Sequence, residues 1–406
     1  MTQQLIGSKN HLQHRVKDKQ PYRVVIVHPS AGVNWSGGSE IMAIELARRL
    51  SAYFEVELLS GSPCGCFSYP AGGIPRTYSY RLVRHPLITP LLGSLSNYPE
   101  IVIEHLTSFL PCAIRCLTRP ADLIFPCNDY GGLAMAAFVR SLRGTPILFT
   151  EHNSLLGKGD DGSLVKNGRC LRRNLRFCPD RLVVFDEATA AFARTLKPTQ
   201  PISIIPNGVN LDQFTCDGNQ IDLGLPKPVV LCVASLNRKN QKRVELAIQA
   251  VSRFSEVSLL ICGDGPDRAH FQSLGERLLS AERFAIRTFA FEQMPEIYRS
   301  VDAFTLPSIY EPFGLVYLEA MATGLPVVAT EDEMRRYIIG DGGILCDVTN
   351  LDVYAHAIKD ALSSNWSERA KQNAARFSWD AIALRYRDVI LETIVQSQKK
   401  LSLQTN

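Results

Sequence analysis

Short, nearly unbroken apolar runs recur along this chain, separated by longer stretches with helical spacing. The first run is Arg23 to His28, whose Val-Val-Ile-Val centre suits a strand buried on both faces. A glycine turn, Ser36-Gly37-Gly38-Ser39, leads into a predicted helix from Glu40 to Leu50. Further strands are predicted at Asp122 to Phe125, Pro146 to Thr150 and Arg181 to Phe185. A second series is predicted at Ile202 to Ile205, Val229 to Val233, Val257 to Cys262, Phe284 to Phe289, Ala303 to Leu306 and Pro326 to Ala329. Region 60–100, rich in Gly, Pro, Ser and Tyr, reads as surface loops.

Strands alternating with helices predict an α/β protein with parallel sheets wrapped by helices. At 406 residues the chain exceeds what a single core fills, so two doubly wound domains are expected. The polar, proline-bearing stretch Lys197 to Pro201 is the predicted linker, giving domains at 21–200 and 201–376. Ligands of such sheets bind at the carboxyl ends of the strands, and two facing domains would share one cleft. Helices are also expected at 351–363 and 365–376. The last segment, 377–406, predicts an amphipathic helix capped by Ser378, with Ile382, Tyr386, Val389, Ile390 and Ile394 as its apolar stripe. Residues 1–20 are polar and basic and read as a disordered lead-in.

Composition narrows the class. A net charge of +4 is too mild to argue for nucleic acid. The 11 cysteines are scattered, without zinc-finger spacing, and read as reduced thiols in a cytoplasmic protein. No segment reaches the roughly 20 uncharged apolar residues of a transmembrane helix.

The chemistry concentrates between Pro307 and Val328. A strand ends at Pro307, a loop carries Glu311, and a helix beginning near Gly314 carries Glu319. The helix start offers unpaired amides and a positive dipole end to a phosphate. Glu319, within the first two turns, suits a ribose diol that donates two hydroxyl hydrogen bonds. Gly37 and Gly38 let backbone approach a phosphate closely, with a helix N-terminus behind them. They lack the G-x-G-x-x-G of a dinucleotide fold. His152, just past the strand ending at Thr150, is placed to point into the cleft, and His28 closes the first strand. Asp160-Asp161 lies in a Gly- and Lys-rich loop and is not a D-x-D metal site.

The stretch from Glu311 to Glu319 resembles the E-x7-E region of retaining glycosyltransferases of family four. Asn207-Gly-Val209 resembles that family's N-G-V turn, Gly263-Asp-Gly-Pro266 its G-D-G-P turn, and Phe377-Ser-Trp379 the lead into its last helix. The resemblance runs from Arg23 to about Ile394 and implies the two-domain GT-B fold, its last helix crossing back onto the first domain. It implies that Glu319 grips the ribose, that Glu311 and His152 lie beside the transferred sugar, and that the amides of Phe313, Gly314 and Leu315 face the sugar and diphosphate. Gly37 and Gly38 become the diphosphate-facing loop.

Two positions depart from the family pattern. Ser235 stands where the family usually has an arginine, leaving Arg238, Lys239 and Lys242 as candidate diphosphate cations. Helix phase favours Lys242, and Arg238 and Lys242 are the expected pair. Ala290 replaces a glycine near the nucleotide base, although its backbone could still serve the base. The resemblance implies transfer of a hexose or N-acetylhexosamine from a nucleotide diphosphate sugar, a UDP sugar ahead of a GDP sugar. The expected site needs no cofactor and no metal. The acceptor, whether glycan, lipid or small molecule, is not legible. A basic set at Arg76, Arg81, Arg84, Arg172, Arg173 and Arg176 either meets a lipid or phosphate-bearing acceptor, with peripheral membrane contact, or is ordinary surface. The competing readings are a nucleotide-sugar epimerase of the same shape and a non-catalytic sugar-nucleotide binder.

Overall fold

The structure, a computed structural model, describes residues 21–32, 37–61, 66, 68–70, 99–153, 155–158, 164–166 and 168–404. Ser36, Asp160-Asp161, Arg76, Arg81, Arg84 and the 1–20 segment lie outside the described residues.

The first half is built around strand β1 (Arg23–Val27), every residue of which is buried. It is flanked by β2 (Glu55–Ser60) and β4 (Leu123–Pro126), with β3 (Ser68–Pro70) beyond β2, all parallel. Isolated bridges Ile124–Ile147 and Cys127–Thr150 join β4 to a second run of β5 (Leu148–Thr150), β8 (Arg181–Val184) and β9 (Ile202–Ile204). A small hairpin, β6 (Leu156–Lys158) with β7 (Leu164–Lys166), is inserted before β8. Helix α1 (Gly38–Leu50) covers one face of this sheet, and α2 (Pro99–Thr118) and α3 (Tyr130–Arg143) pack side by side on the other. Helices α4 (Arg169–Leu175) and α5 (Glu187–Leu196) complete the half.

One predicted strand changes sides. The run at Ile202 was expected to open the second series, yet β9 pairs in register with β8, Leu182 opposite Ile202 and Val184 opposite Ile204. The stretch from Lys197 to Pro201 therefore turns within the first half. Gln200 fastens that turn, its amide donating to the Pro179 carbonyl at 2.8 Å.

The second half is a six-stranded parallel sheet ordered β12 (Phe284–Arg287), β11 (Ser258–Cys262), β10 (Val229–Val233), β13 (Ala303–Leu306), β14 (Val327–Thr330) and β15 (Gly343–Cys346). Helices α6 (Val244–Val251), α7 (Arg268–Leu279), α8 (Met294–Arg299), α9 (Leu315–Ala322), α10 (Glu333–Ile339), α11 (Leu351–Ser363) and α12 (Ser367–Ala375) wrap it. In each sheet the chain winds outward from a central strand in one direction and then in the other. The order reverses between β1 and β4 and between β10 and β13, where loops splay apart and leave a crevice.

The last helix, α13 (Trp379–Gln404), follows the second half but packs on the first. Trp379, Ile382, Tyr386, Ile390 and Ile394 are buried in the cluster that also holds Val24, Leu46 and Phe125. Tyr386 stacks on Phe125 with ring centroids 5.6 Å apart. Ser378 caps the helix by accepting the Ala381 amide at 3.2 Å.

Candidate active site

A cavity of about 520 Å³ lies between the halves, its walls made by the loops at both reversal points. One wall carries Gly38 at the start of α1, Asn128 after β4, His152 after β5 and Phe185 after β8. The opposite wall carries Lys242, Gly263, Glu311, Phe313, Gly314, Leu315 and Glu319. A Cβ on Gly38 would stand 3.4 Å from Leu315 Cδ1, so the N-termini of α1 and α9 face each other across the gap. Gly314 takes a left-handed φ of +86°, and a Cβ there would lie 2.6 Å from the Tyr317 ring. Only glycine makes that entry into α9, whose first turn leaves amides free toward the cleft.

The loops after β10 and β13 are laced together, and this lacing sets the charged pair of the site. The Ile309 amide donates to the Gln241 carbonyl at 2.8 Å, and the Arg243 guanidinium donates to the Pro307 carbonyl at 2.8 Å and to Thr330 Oγ1 at 3.2 Å. Arg243 itself holds the left-handed region at φ 50°. With the loops so joined, Lys242 Nζ reaches Glu311 Oε2 at 2.6 Å, and the Ser308 hydroxyl donates to the same oxygen at 3.2 Å. The pair puts a cation beside the α9 N-terminus, where an anionic group is favoured.

Glu319 is buried on α9 and accepts from the Tyr298 hydroxyl at 2.8 Å. Burial pushes its carboxyl up to about 7, with the Tyr298 hydrogen bond pulling the other way. The same burial and the neighbouring Glu319 push the Tyr298 phenol well above its ordinary range, so it stays a donor. Across the cleft, the His152 ring lies 4.5 Å from that of Phe185, and the His152 amide donates to Asn128 Oδ1 at 3.0 Å. Burial, followed by repulsion from His28, drops the imidazole to about 3, so it is neutral near pH 7. Its Nε2 has no partner among the described residues, and neither has Nδ1 of buried His28.

Two sequence families account for the chain in tandem. The family described as Glycosyltransferase Family 4 matches residues 36–213, and Glycosyl transferases group 1 matches residues 218–377. The chain is a family 4 glycosyltransferase. It is 28% identical to D-inositol 3-phosphate glycosyltransferase 2 of Catenulispora acidiphila, over 92% of this chain and 96% of that one. Sucrose-phosphate synthase from Thermosynechococcus elongatus superposes with a TM-score of 0.70 at 20% identity, over 93% of this chain and 100% of that one. Anabaena HepE in complex with UDP-glucose gives a TM-score of 0.59 at 18% identity, over 92% and 100%. The fold is GT-B, two Rossmann-like domains, and the enzyme uses a nucleotide-sugar donor.

In this glycosyltransferase, His152, Lys242, Glu311, Phe313, Gly314, Leu315, Glu319 and Gly38 all line the cleft, and Gly37 caps α1 one residue behind the lining. Arg238 and Ala290 do not line it. The loop after β10 folds onto the Gly263–Asp267 turn, with the Leu236 amide on the Asp264 carbonyl at 2.9 Å and the Arg238 amide on Asp267 Oδ2 at 2.7 Å. That fold sends the Arg238 side chain outward, its Nε 3.7 Å from Glu245, and leaves Lys239 exposed. Ser235, at the departing position, is exposed and accepts from Asn240 through both its carbonyl and its hydroxyl. Ala290 is exposed at the start of a single 3-10 turn, and its neighbours Thr288, Phe289 and Phe291 line the cleft instead. Sequence reasoning missed Asn128, which adopts φ 49° and holds the His152 backbone. Its signal was an Asn two residues past the strand that ends at Pro126, a residue type that tolerates the left-handed region.

Proposed function

We propose that this enzyme transfers a hexose or N-acetylhexosamine from a UDP sugar, with a GDP sugar second, to an acceptor hydroxyl with retention and without a metal ion. The observation that carries the reading is the Lys242–Glu311 pair beside the α9 N-terminus, with Glu319 farther along the same helix. Glu319 accepts the ribose hydroxyls, while Lys242 and the facing starts of α1 and α9 meet the diphosphate. Glu311 and neutral His152 orient the sugar. The bond from the anomeric carbon to phosphate oxygen breaks, the acceptor oxygen bonds to the same face, and its proton passes to the departing phosphate. Charge growing on the leaving diphosphate is where Lys242 and the helix ends stabilise the transition state most. Structural neighbours that hold UDP or UDP-glucose support the uridine preference.

The test is a panel of nucleotide sugars, each with and without candidate hydroxyl acceptors, read as released nucleoside diphosphate and as the anomeric configuration of the product. Acceptor-dependent UDP release with a retained anomer, unaffected by EDTA, is the expected result. An epimerised donor, a binding-only response, or loss on chelation with rescue by Mg²⁺ or Mn²⁺ would each overturn the corresponding part.

A further inference from the structure

Helices α2 and α3 run alongside each other in the same direction. His105 abuts Gly131 near their starts, Phe109 meets Phe138 midway at 6.0 Å, and Arg143 Nη2 donates to the Leu117 carbonyl at 2.9 Å near their ends. Their outer face is apolar. Leu106, Leu110 and Ile114 recur every fourth residue on α2 and are 69, 63 and 52% exposed, while Phe138 and Leu142 on α3 are 44 and 59% exposed. Such side chains on one connected face exceed the scattered exposure normal for a soluble surface. The hydroxyls of Thr118 and Ser141 do not wet the face, since they donate back to the carbonyls of Ile114 at 2.8 Å and Phe138 at 2.7 Å. At the far end Leu401 of α13 joins it, its Cδ2 standing 3.9 Å from where a Gly144 Cβ would be.

Among the described residues the acids beside this face are buried or already bonded, as Glu55 is to Arg119 and Asp180 to Arg140. Between Glu104 and Arg143, Glu104 and Asp129 are buried, and Asp122 accepts the Arg23 amide. Arg115 is turned inward to Glu57. Arg143 at the end of α3, and Lys399 and Lys400 beside Leu401, make no ion pair among the described residues. A two-fold pairing of copies through this face would bring together two surfaces whose unpaired charges, among the described residues, are cations, and would give them no counter-charge. No helix among the described residues is long and apolar enough to cross a membrane. An apolar helical face with a basic edge matches a bilayer surface carrying anionic headgroups.

We propose that the α2–α3 face docks in the plane of an anionic lipid bilayer, with Leu106, Leu110, Ile114, Phe138 and Leu142 at the headgroup–acyl boundary and Arg143, Lys399 and Lys400 on the lipid phosphates. The face begins beside the cleft, since His105 Nε2 lies 2.7 Å from Asp129 just past the carboxyl end of β4. Docking so would hold the cleft mouth against the membrane surface.

The test is co-sedimentation of the full chain with vesicles of phosphatidylcholine alone or mixed equally with phosphatidylglycerol. Two double variants accompany it, Leu110→Ser with Leu142→Ser and Lys399→Glu with Lys400→Glu. All four positions are exposed, so melting temperature and the thermal shift with UDP serve as controls for folding. Expected is uptake on the anionic vesicles, weakened by salt and reduced about tenfold or more in each variant. Four results would overturn the proposal: no uptake, equal uptake on neutral vesicles, uptake unchanged in the variants, or a lipid-free dimer that Leu110→Ser with Leu142→Ser dissociates.

Discussion

The two walls of the cleft are built differently. On the second-domain wall each charged group already has its partner: Lys242 on Glu311, Glu319 on Tyr298. On the first-domain side two buried nitrogens, Nε2 of His152 and Nδ1 of His28, have no partner among the described residues. A group that keeps a fixed partner is oriented before ligand arrives and loses little freedom on binding. A buried nitrogen without one gains a whole hydrogen bond when a hydroxyl comes within reach. In the proposed reaction the paired groups of the second-domain wall, Lys242 and Glu319, are pre-set for the diphosphate and the ribose. The sugar would be met from both walls, by Glu311 and by His152, and His152 is the one of the two still open to a new hydrogen bond.

The largest effect expected from breaking this division is on turnover. Lys242→Ala should lower kcat ~100-fold with a smaller change in KM, because the charge it meets grows in the transition state. Exposed Lys239→Ala should leave both constants near wild type, and the reverse pattern in steady-state kinetics would mean the loop is arranged differently. Next in size, Glu319→Ala should weaken UDP binding by roughly 1–3 kcal/mol, as for charge-assisted hydrogen bonds. Isothermal titration reads this directly, and unchanged affinity in a folded variant would remove Glu319 from the ribose.

His152→Ala separates the walls more finely. It should cost kcat/KM ~10-fold, about one hydrogen bond, while UDP affinity without the sugar stays put. An equal loss for UDP would move His152 to the nucleotide. The smallest effect is one of pH. Glu319, with its carboxyl raised to about 7, is largely protonated in the free enzyme below that value and accepts ribose hydroxyls best when ionised. UDP affinity should therefore rise several-fold from pH 6 to pH 8 with release of a proton, and Glu319→Gln should flatten the slope. A slope that survives in Glu319→Gln would place the titrating group elsewhere.

Much of this was readable from the sequence. Regularly spaced apolar runs gave both sheets, because a parallel strand covered on both faces must be apolar almost throughout. The places of Glu311 and Glu319 in the cleft were legible because both are set by distance along one loop and helix. The misplaced strand β9 shows where reading fails. Ile202–Ile204 looks like any other buried run, and only its pairing with Leu182–Val184 says which sheet it joins. Arg238 failed for a related reason. Its side chain is turned away by a contact with Asp267, 29 residues distant, that no local pattern carries. Lys242 was favoured by helix phase, but its bond to Glu311 depends on the lacing of two loops far apart in the chain. The acceptor-side wall stayed least legible, since Asn128 and His152 meet only when the ends of β4 and β5 are neighbours.

The chain passes between the domains twice, outward near Val209 and back at Phe377 to Trp379, and the two passes are bonded to each other. The Val209 amide donates to the Phe377 carbonyl at 2.8 Å, and the Trp379 amide to the Val209 carbonyl at 3.1 Å. A Cβ on neighbouring Gly208 would sit 2.7 Å from the Trp379 indole, so the strands cross with no room between them. Two tethers joined side by side behave mechanically as a door hinge and not as a ball joint. A rocking about this crossing would leave both hydrogen bonds in place, whereas twisting one pass away from the other would break them. A cleft that opened about this crossing would part the facing ends of α1 and α9, and closing about it would bring Gly38 back opposite Leu315.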